Sequence, residues 1–137
     1  MHELLFRGQQ RRKGEKVYLD GSPVESSWFY GNGVLQGKGD FSIIYQTEPM
    51  FEKHSVYTDT LGRYTGLTDK NGKKIFEGDI IIAEHDKSAI AVVKYNESKA
   101  AFYVENKNAE DYLGEAWDTD VVVIGNIYDN PELLKGE

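Results

Sequence analysis

The chain has 137 residues, with 16 Lys and Arg against 23 Asp and Glu, a formal charge of −7, and no cysteine. That length suits one ordinary domain or two small modules sharing a core. The absence of thiols excludes disulfide scaffolds, thiolate zinc sites, iron–sulfur clusters and a cysteine nucleophile.

The elements read along the chain are strands. Glu3–Phe6 is a short apolar opening, followed by the polar Arg7–Glu15 segment, which reads as a turn. Lys16–Leu19 reads as the returning strand, and Asp20-Gly21-Ser22-Pro23 has strong turn chemistry. Val24–Tyr30 carries the aromatic triplet Trp28-Phe29-Tyr30, and the glycines at 31, 33, 37 and 39 mark a flexible hairpin or loop. Phe41–Gln46 is β-branched and aromatic, as a strand requires, and the segment before Pro49 should be extended. Leu61–Thr68 and Lys74–Phe76 flank Asn71-Gly72, the pair preferred in a type I′ hairpin because both positions need positive φ. Glu77-Gly78-Asp79 is a second turn feeding the strand Ile80–Glu84. His85–Ser88 is polar, Ala89–Tyr95 is a strand, Asn96–Lys99 a turn and Ala100–Glu105 a strand. Glu110–Trp117 has some helical spacing and predicts a short helix or a loop. Asp120–Ile127 closes the core as a strand, and Pro131–Lys135 forms a terminal helical turn. Strands at short intervals without βαβ alternation predict an all-β protein. The expected architecture is a small antiparallel SH3-like barrel from about residue 60 onward, with residues 1–59 as an N-terminal β segment packed on it.

The charge is uneven. Residues 105–137 hold nine acids and two bases, so residues 1–104 hold fourteen of each. Such a distribution ordinarily makes a solvated face, and an electrostatic partner surface would fall on Glu110, Asp111, Glu115 and Asp118. The opening residues have no charged segment leading into an apolar core, and the longest apolar runs, Ile80–Ala83 and Val121–Ile124, are far too short to span a bilayer. A cytoplasmic protein without a membrane partner is the expectation.

Chemical motifs fail on inspection. Gly31-Asn32-Gly33 starts like a dinucleotide loop, but Gln36 stands where the third glycine belongs. Gly33–Gly39 is one residue short of a phosphate loop and lacks its Ser/Thr. Aligning Gly72 with the invariant glycine of a calcium loop puts Leu67 at the first ligand position and Gly78 at the bidentate one. His2, His54 and His85 have no metal-ligand spacing; His85 lies beside Glu84 and Asp86, where a weak acquired metal site competes with the favoured reading of an exposed loop histidine, and no G-x-S-x-G occurs. No catalytic residue, metal site or cofactor is expected. Bases beside aromatics, namely Arg63 with Tyr64, Lys94 with Tyr95, and Lys99 with Phe102 and Tyr103, define an alternative single-stranded nucleic-acid surface. A net charge of −7 opposes it.

From Tyr64 to Ile81 the sequence reads YTGLTDKNGKKIFEGDII, and it ends VIGNIYDNPELL over residues 123–134. These two blocks, with Leu5-Phe6-Arg7-Gly8 and Gly14–Tyr18 near the start, resemble the YopX family of phage and prophage proteins. The match is loose between residues 20 and 58 and between 96 and 118. The residues that carry it, Tyr64, Thr65, Gly66, Asp69, Asn71, Gly72, Glu77, Gly78, Asp79, Gly125 and Asn126, are those of turns and strand corners. The resemblance implies a shared, mostly β fold, a phage or prophage origin and a bacterial cytoplasmic setting, with no activity attached. The expected function is that of a non-enzymatic accessory protein binding a host or phage protein, with self-association through a sheet edge as a further expectation.

Overall fold

The computed structural model describes residues 4–10, 12, 17–19, 22–24, 28–37, 39–83, 86–106, 110–112 and 121–134. It is all-β, with antiparallel pairing throughout, and divides into two compact units, Met1–Arg63 and Tyr64–Glu137. Each carries eight bases, against eight acids in the first and fifteen in the second, so the formal −7 belongs wholly to the second unit.

The first unit runs β1 (Phe6–Gln9), β2 (Val17–Leu19), β3 (Ser22–Val24), β4 (Trp28–Gly31), β5 (Gly33–Leu35), β6 (Phe41–Gln46) and β7 (Glu52–Tyr57), followed by a 3-10 turn at Thr58–Thr60. β1 pairs with β4, β2 with β3, and β5–β6–β7 form a three-stranded sheet. The stretch expected to be a turn at Arg7–Gln9 is therefore strand, and it is buried despite its polarity. The Arg7 guanidinium lies 4.8 Å from the Trp28 ring centre, and the Gln9 backbone N–H donates to Thr60 Oγ1 at 2.9 Å. Gly8 is required, since a Cβ there would lie 2.6 Å from Val56 Cγ2. Ser22 and Pro23, expected within a turn, belong to β3 and pair with Leu19 and Tyr18. Residues 47–51 connect β6 to β7 through bends and a cis Glu48–Pro49 bond.

The second unit continues with β8 (Gly62–Thr68), whose first two residues belong to the first unit, then β9 (Lys74–Phe76), β10 (Asp79–Ala83), β11 (Asp86–Asn96), β12 (Ala101–Glu105), β13 (Glu110–Tyr112) and β14 (Val121–Asn126). A 3-10 turn at Pro131–Leu134 matches the expected terminal helical turn. β10–β14 form a five-stranded sheet in the order β13-β12-β11-β10-β14. Its interior strand β10, between β11 and β14, is apolar on both faces, with Ile80 and Ile81 fully buried. The core consists of Ile75, Ile81, Ala83, Ala91, Val93, Val104 and Val121. Among the described residues no sheet closes into a barrel.

Two polar segments differ from expectation. Asp86–Ser88 extends β11, and Glu110–Tyr112 pairs with Glu105, Val104 and Tyr103 instead of starting a helix. In both cases cross-strand pairing prevails over a weak local preference, as it commonly does in sheets. The remainder of the expected helix, residues 113–117, lies outside the described residues. No helix of the described residues is long and apolar enough to cross a membrane.

Candidate functional site

The signature residues of the second unit form two structural joints. In the first, Asp69 directly follows β8 and is 6% exposed. Its Oδ1 accepts the Asn71 and Lys73 amides, both at 2.9 Å, and Oδ2 accepts the Val123 amide of β14 at 3.0 Å. The Lys70 amide donates to the Val121 carbonyl at 3.0 Å, so the turn is fastened along the β14 edge. Burial pushes the Asp69 pKa up, but the amides of Val123, Lys73 and Asn71 and the charge of Lys73 outweigh it, and the carboxyl lies below its ordinary value. The turn is not type I′: only Gly72 has positive φ, at 84°, and its amide donates to the Asp69 carbonyl. Tyr64 packs against Phe76 with ring centres 5.6 Å apart. Thr65 Oγ1 donates to the Ile75 carbonyl across an irregularity in β8 that includes Gly66, whose φ is 88°.

The second joint closes the other end of the unit. Asp79 is 1% exposed and its Oδ2 accepts the Phe76 amide at 2.8 Å, bracing the Glu77-Gly78 turn. Gly78 has φ 93°, donates to the Val93 carbonyl and accepts the Ile127 amide. Asn126 Oδ1 accepts the amides of Tyr128 and Asp129, while Asn130 Oδ1 accepts that of Asn126. A Cβ on Gly125 would lie 2.5 Å from Asn130 Oδ1. These groups are spent on backbone amides.

The residues of the nucleic-acid alternative are divided between the two units. Lys94 Nζ is bound to Glu105 at 2.7 Å, which neutralises its charge, and Lys99 lies in the exposed β11–β12 turn. Arg63 is half-buried, pairs with Phe6 and belongs to the first unit. Of the acidic partner surface, Glu110 and Asp111 lie on β13, while Glu115 and Asp118 lie outside the described residues. His54 lies on β7 with its ring stacked on Phe29 at 3.7 Å between centres. His2 and His85 lie outside the described residues, and no metal-competent cluster occurs among the described ones.

An unanticipated feature is the outward face of the three-stranded sheet in the first unit. Alternate residues of β6 point to opposite sides: Ser42 and Ile44 are buried, whereas Phe41, Ile43 and Tyr45 face outward. Register sets Leu35 and Ser55 beside Ile43, Tyr57 beside Phe41, and Gly33 and Lys53 beside Tyr45. The Phe41 and Tyr57 ring centres are 4.7 Å apart, and Arg12 covers Tyr57 at 4.1 Å while bonding both oxygens of Asp59. That hydrogen bond raises the Arg12 pKa further. The Tyr45 ring lies over Gly33, where a Cβ would collide with the ring, and Phe51 stacks beside Tyr45. Leu35 and Phe41 remain 62% and 47% exposed. They rim a depression of about 350 Å³ with Ile43, Ser42, Ser55, Gln36 and Gly37.

The profile of the family described as YopX protein matches residues 6–135. The crystal structure of protein EF1440 from Enterococcus faecalis is 30% identical, with 69% of this chain and 75% of that one covered and a TM-score of 0.44. No match was found among curated proteins.

Proposed function

The chain belongs to the YopX family, and from that premise we propose that it is a non-enzymatic phage or prophage accessory protein that binds another protein in the bacterial cytoplasm. The observation that carries this reading is the outward face of β5–β7, where large apolar and aromatic side chains stand exposed around a shallow depression of about 350 Å³. Charges are sparse on it, and the Arg12–Asp59 pair is already satisfied internally. An apolar anchor from a partner would fill the depression between Leu35 and Phe41, as central anchors do at interfaces. Affinity capture from lysogenic cells with wild type, Leu35→Asp and Phe41→Asp tests the reading. Proteins retained by wild type should be lost with both variants and kept by Lys99→Glu. Equal retention by all three variants would refute it.

A second reading has one observation in its favour: Tyr45 over Gly33, with Phe51 alongside, resembles a base-stacking surface, and it lies on the charge-balanced unit. Fluorescence anisotropy with single-stranded oligonucleotides at low salt separates the two, since nucleic-acid binding there must weaken with Tyr45→Ala and with salt. The acidic residues Glu110, Asp111, Glu115 and Asp118 remain a partner surface in this proposal, tested by their charge reversal in the same capture. We further read the second unit as an opened relative of the SH3-like barrel, which the fastening of the β8–β9 turn onto β14 supports.

A further inference from the structure

We propose that Asn71 is a site of spontaneous self-modification, converted through a succinimide to aspartate and isoaspartate, and that the Asp69 bracket is the gate that holds the reaction back. The inference is independent of what the protein binds.

An asparagine followed by glycine is open to a reaction of its own. The glycine backbone nitrogen, on giving its proton to hydroxide, attacks the asparagine Cγ. The new C–N bond closes a five-membered ring. The side-chain nitrogen takes a proton from water and leaves as ammonia, which returns the hydroxide. Water then opens the ring at either carbonyl, giving aspartate, or isoaspartate with the main chain running through Cβ. Glycine favours the attack because no side chain shields its nitrogen. The sequence holds two such pairs, Asn32-Gly33 and Asn71-Gly72.

The structure separates them. Gly33 is buried in β5, paired with Tyr45 and lying under its ring, and the Asn32 side-chain amide donates to Thr47 Oγ1 at 3.3 Å. Hydroxide reaches that nitrogen only when the ring lifts. Asn71 and Gly72 are exposed, and nothing lies within 4 Å of where a Gly72 Cβ would stand. Lys70, Lys73 and Lys74 are exposed around them, and their charge favours the deprotonated amide. What restrains the reaction is the turn. The Gly72 amide donates to the Asp69 carbonyl at 3.0 Å, and Asp69 Oδ1 holds the amides of Asn71 and Lys73 on either side. A bonded N–H resists deprotonation, and ring closure must swing the Gly72 nitrogen toward Asn71 Cγ and away from that carbonyl. The reaction therefore passes through local opening of the turn, and Asp69 sets the cost of that opening.

The coupling runs both ways. Isoaspartate lengthens the main chain by one methylene between the amides of residues 71 and 73, so Asp69 Oδ1 loses its hold on at least one of them. The same carboxylate binds the Val123 amide, and the Lys70 amide binds the Val121 carbonyl. Conversion at Asn71 should accordingly loosen the turn from β14.

Incubation of the full chain in mildly alkaline buffer tests this, followed by peptide mapping with mass spectrometry that separates aspartate from isoaspartate. Wild type should convert several-fold faster at Asn71 than at Asn32. Asp69→Ala should speed conversion at Asn71 about tenfold or more, and the milder Asp69→Asn about threefold or more, with circular dichroism confirming the fold. If Asp69→Ala fails to fold, Asp69→Asn decides. Tyr45→Ala should speed Asn32 and leave Asn71 unchanged. Converted chains, separated by anion exchange, should show faster hydrogen exchange at the Val123 amide. Asn32 converting as fast as Asn71 overturns the proposal, as does a rate at Asn71 indifferent to Asp69 substitution. Unchanged Val123 exchange in converted chains overturns the coupling to β14.

Discussion

Removing the Asp69 carboxylate should loosen the second unit more than any change at its surface. The carboxylate is buried and serves three backbone amides, those of Asn71, Lys73 and Val123. In Asp69→Ala the Asn71 and Lys73 amides, in an exposed turn, regain water at a cost of about 1 kcal/mol each. The Val123 amide, held on a strand edge, loses a charge-assisted bond worth about 1–3 kcal/mol. The total is about 3–5 kcal/mol, a large fraction of ordinary domain stability. Asp69→Asn keeps one acceptor oxygen and turns a donor toward an amide, so it should lose about 2–3 kcal/mol. Urea unfolding followed by circular dichroism should show the Ala variant's midpoint falling by roughly 2 M, with faster exchange of the Val123 amide. The pH dependence has a fixed sign. The folded carboxyl lies below its ordinary value of 3.8, so its stabilisation is complete above that value and is lost as pH falls through it toward the lowered folded value. The gap between wild type and Asp69→Asn should accordingly shrink below about pH 4. A loss under 1 kcal/mol, or a gap that widens on acidification, would refute the reasoning.

Three further outcomes follow from the geometry. Gly78→Ala should destabilise by about 1–2 kcal/mol in thermal unfolding, because φ is 93° there and a Cβ would press on Tyr128 at 3.0 Å. Lys94→Met should change stability by no more than about 1 kcal/mol, since its pair with Glu105 is partly exposed, and it should leave oligonucleotide binding unaltered in anisotropy. Gly33→Val should lift the Tyr45 ring off β5, seen as a loss of the nuclear Overhauser contacts between residues 33 and 45, and should impair any partner binding.

The parts of the fold legible in the sequence were those where one residue type answers one local demand. Gly78 at positive φ, the β-branched runs of β10 and β14, and Phe41–Gln46 are of this kind. Elements whose stability comes from distant partners were not legible. β1 reads as polar, and its strand character rests on distant groups: the Arg7 guanidinium lies over Trp28, and the Gln9 backbone N–H bonds Thr60, 51 residues away in sequence. β7 reads Glu-Lys-His-Ser, and its strand character emerges only from pairing with β6 and from His54 stacking on Phe29. The Asn71-Gly72 turn was located correctly but mistyped, because Asp69 captures the amides that a I′ turn would leave alone. The outward face was hidden for a related reason. Phe41, Ile43 and Tyr45 alternate as a half-buried strand should, and nothing local tells which half is buried. The available signal was that the Phe41-Ile43-Tyr45 set is wholly apolar and aromatic while the other set, Ser42-Ile44-Gln46, contains only one apolar residue, beside a hairpin of glycines.

The central claim is that the β5–β7 face of the first unit is where this protein meets other macromolecules. Site-specific photocrosslinking tests it most directly, with benzoylphenylalanine placed at Leu35 or Phe41 on the face, and at Leu67 or Ile124, the exposed apolar positions of the second unit, as controls. Crosslinked protein adducts should form from residues 35 and 41 and be absent from 67 and 124. Adducts arising from 67 and 124, with none from the face, would contradict the account.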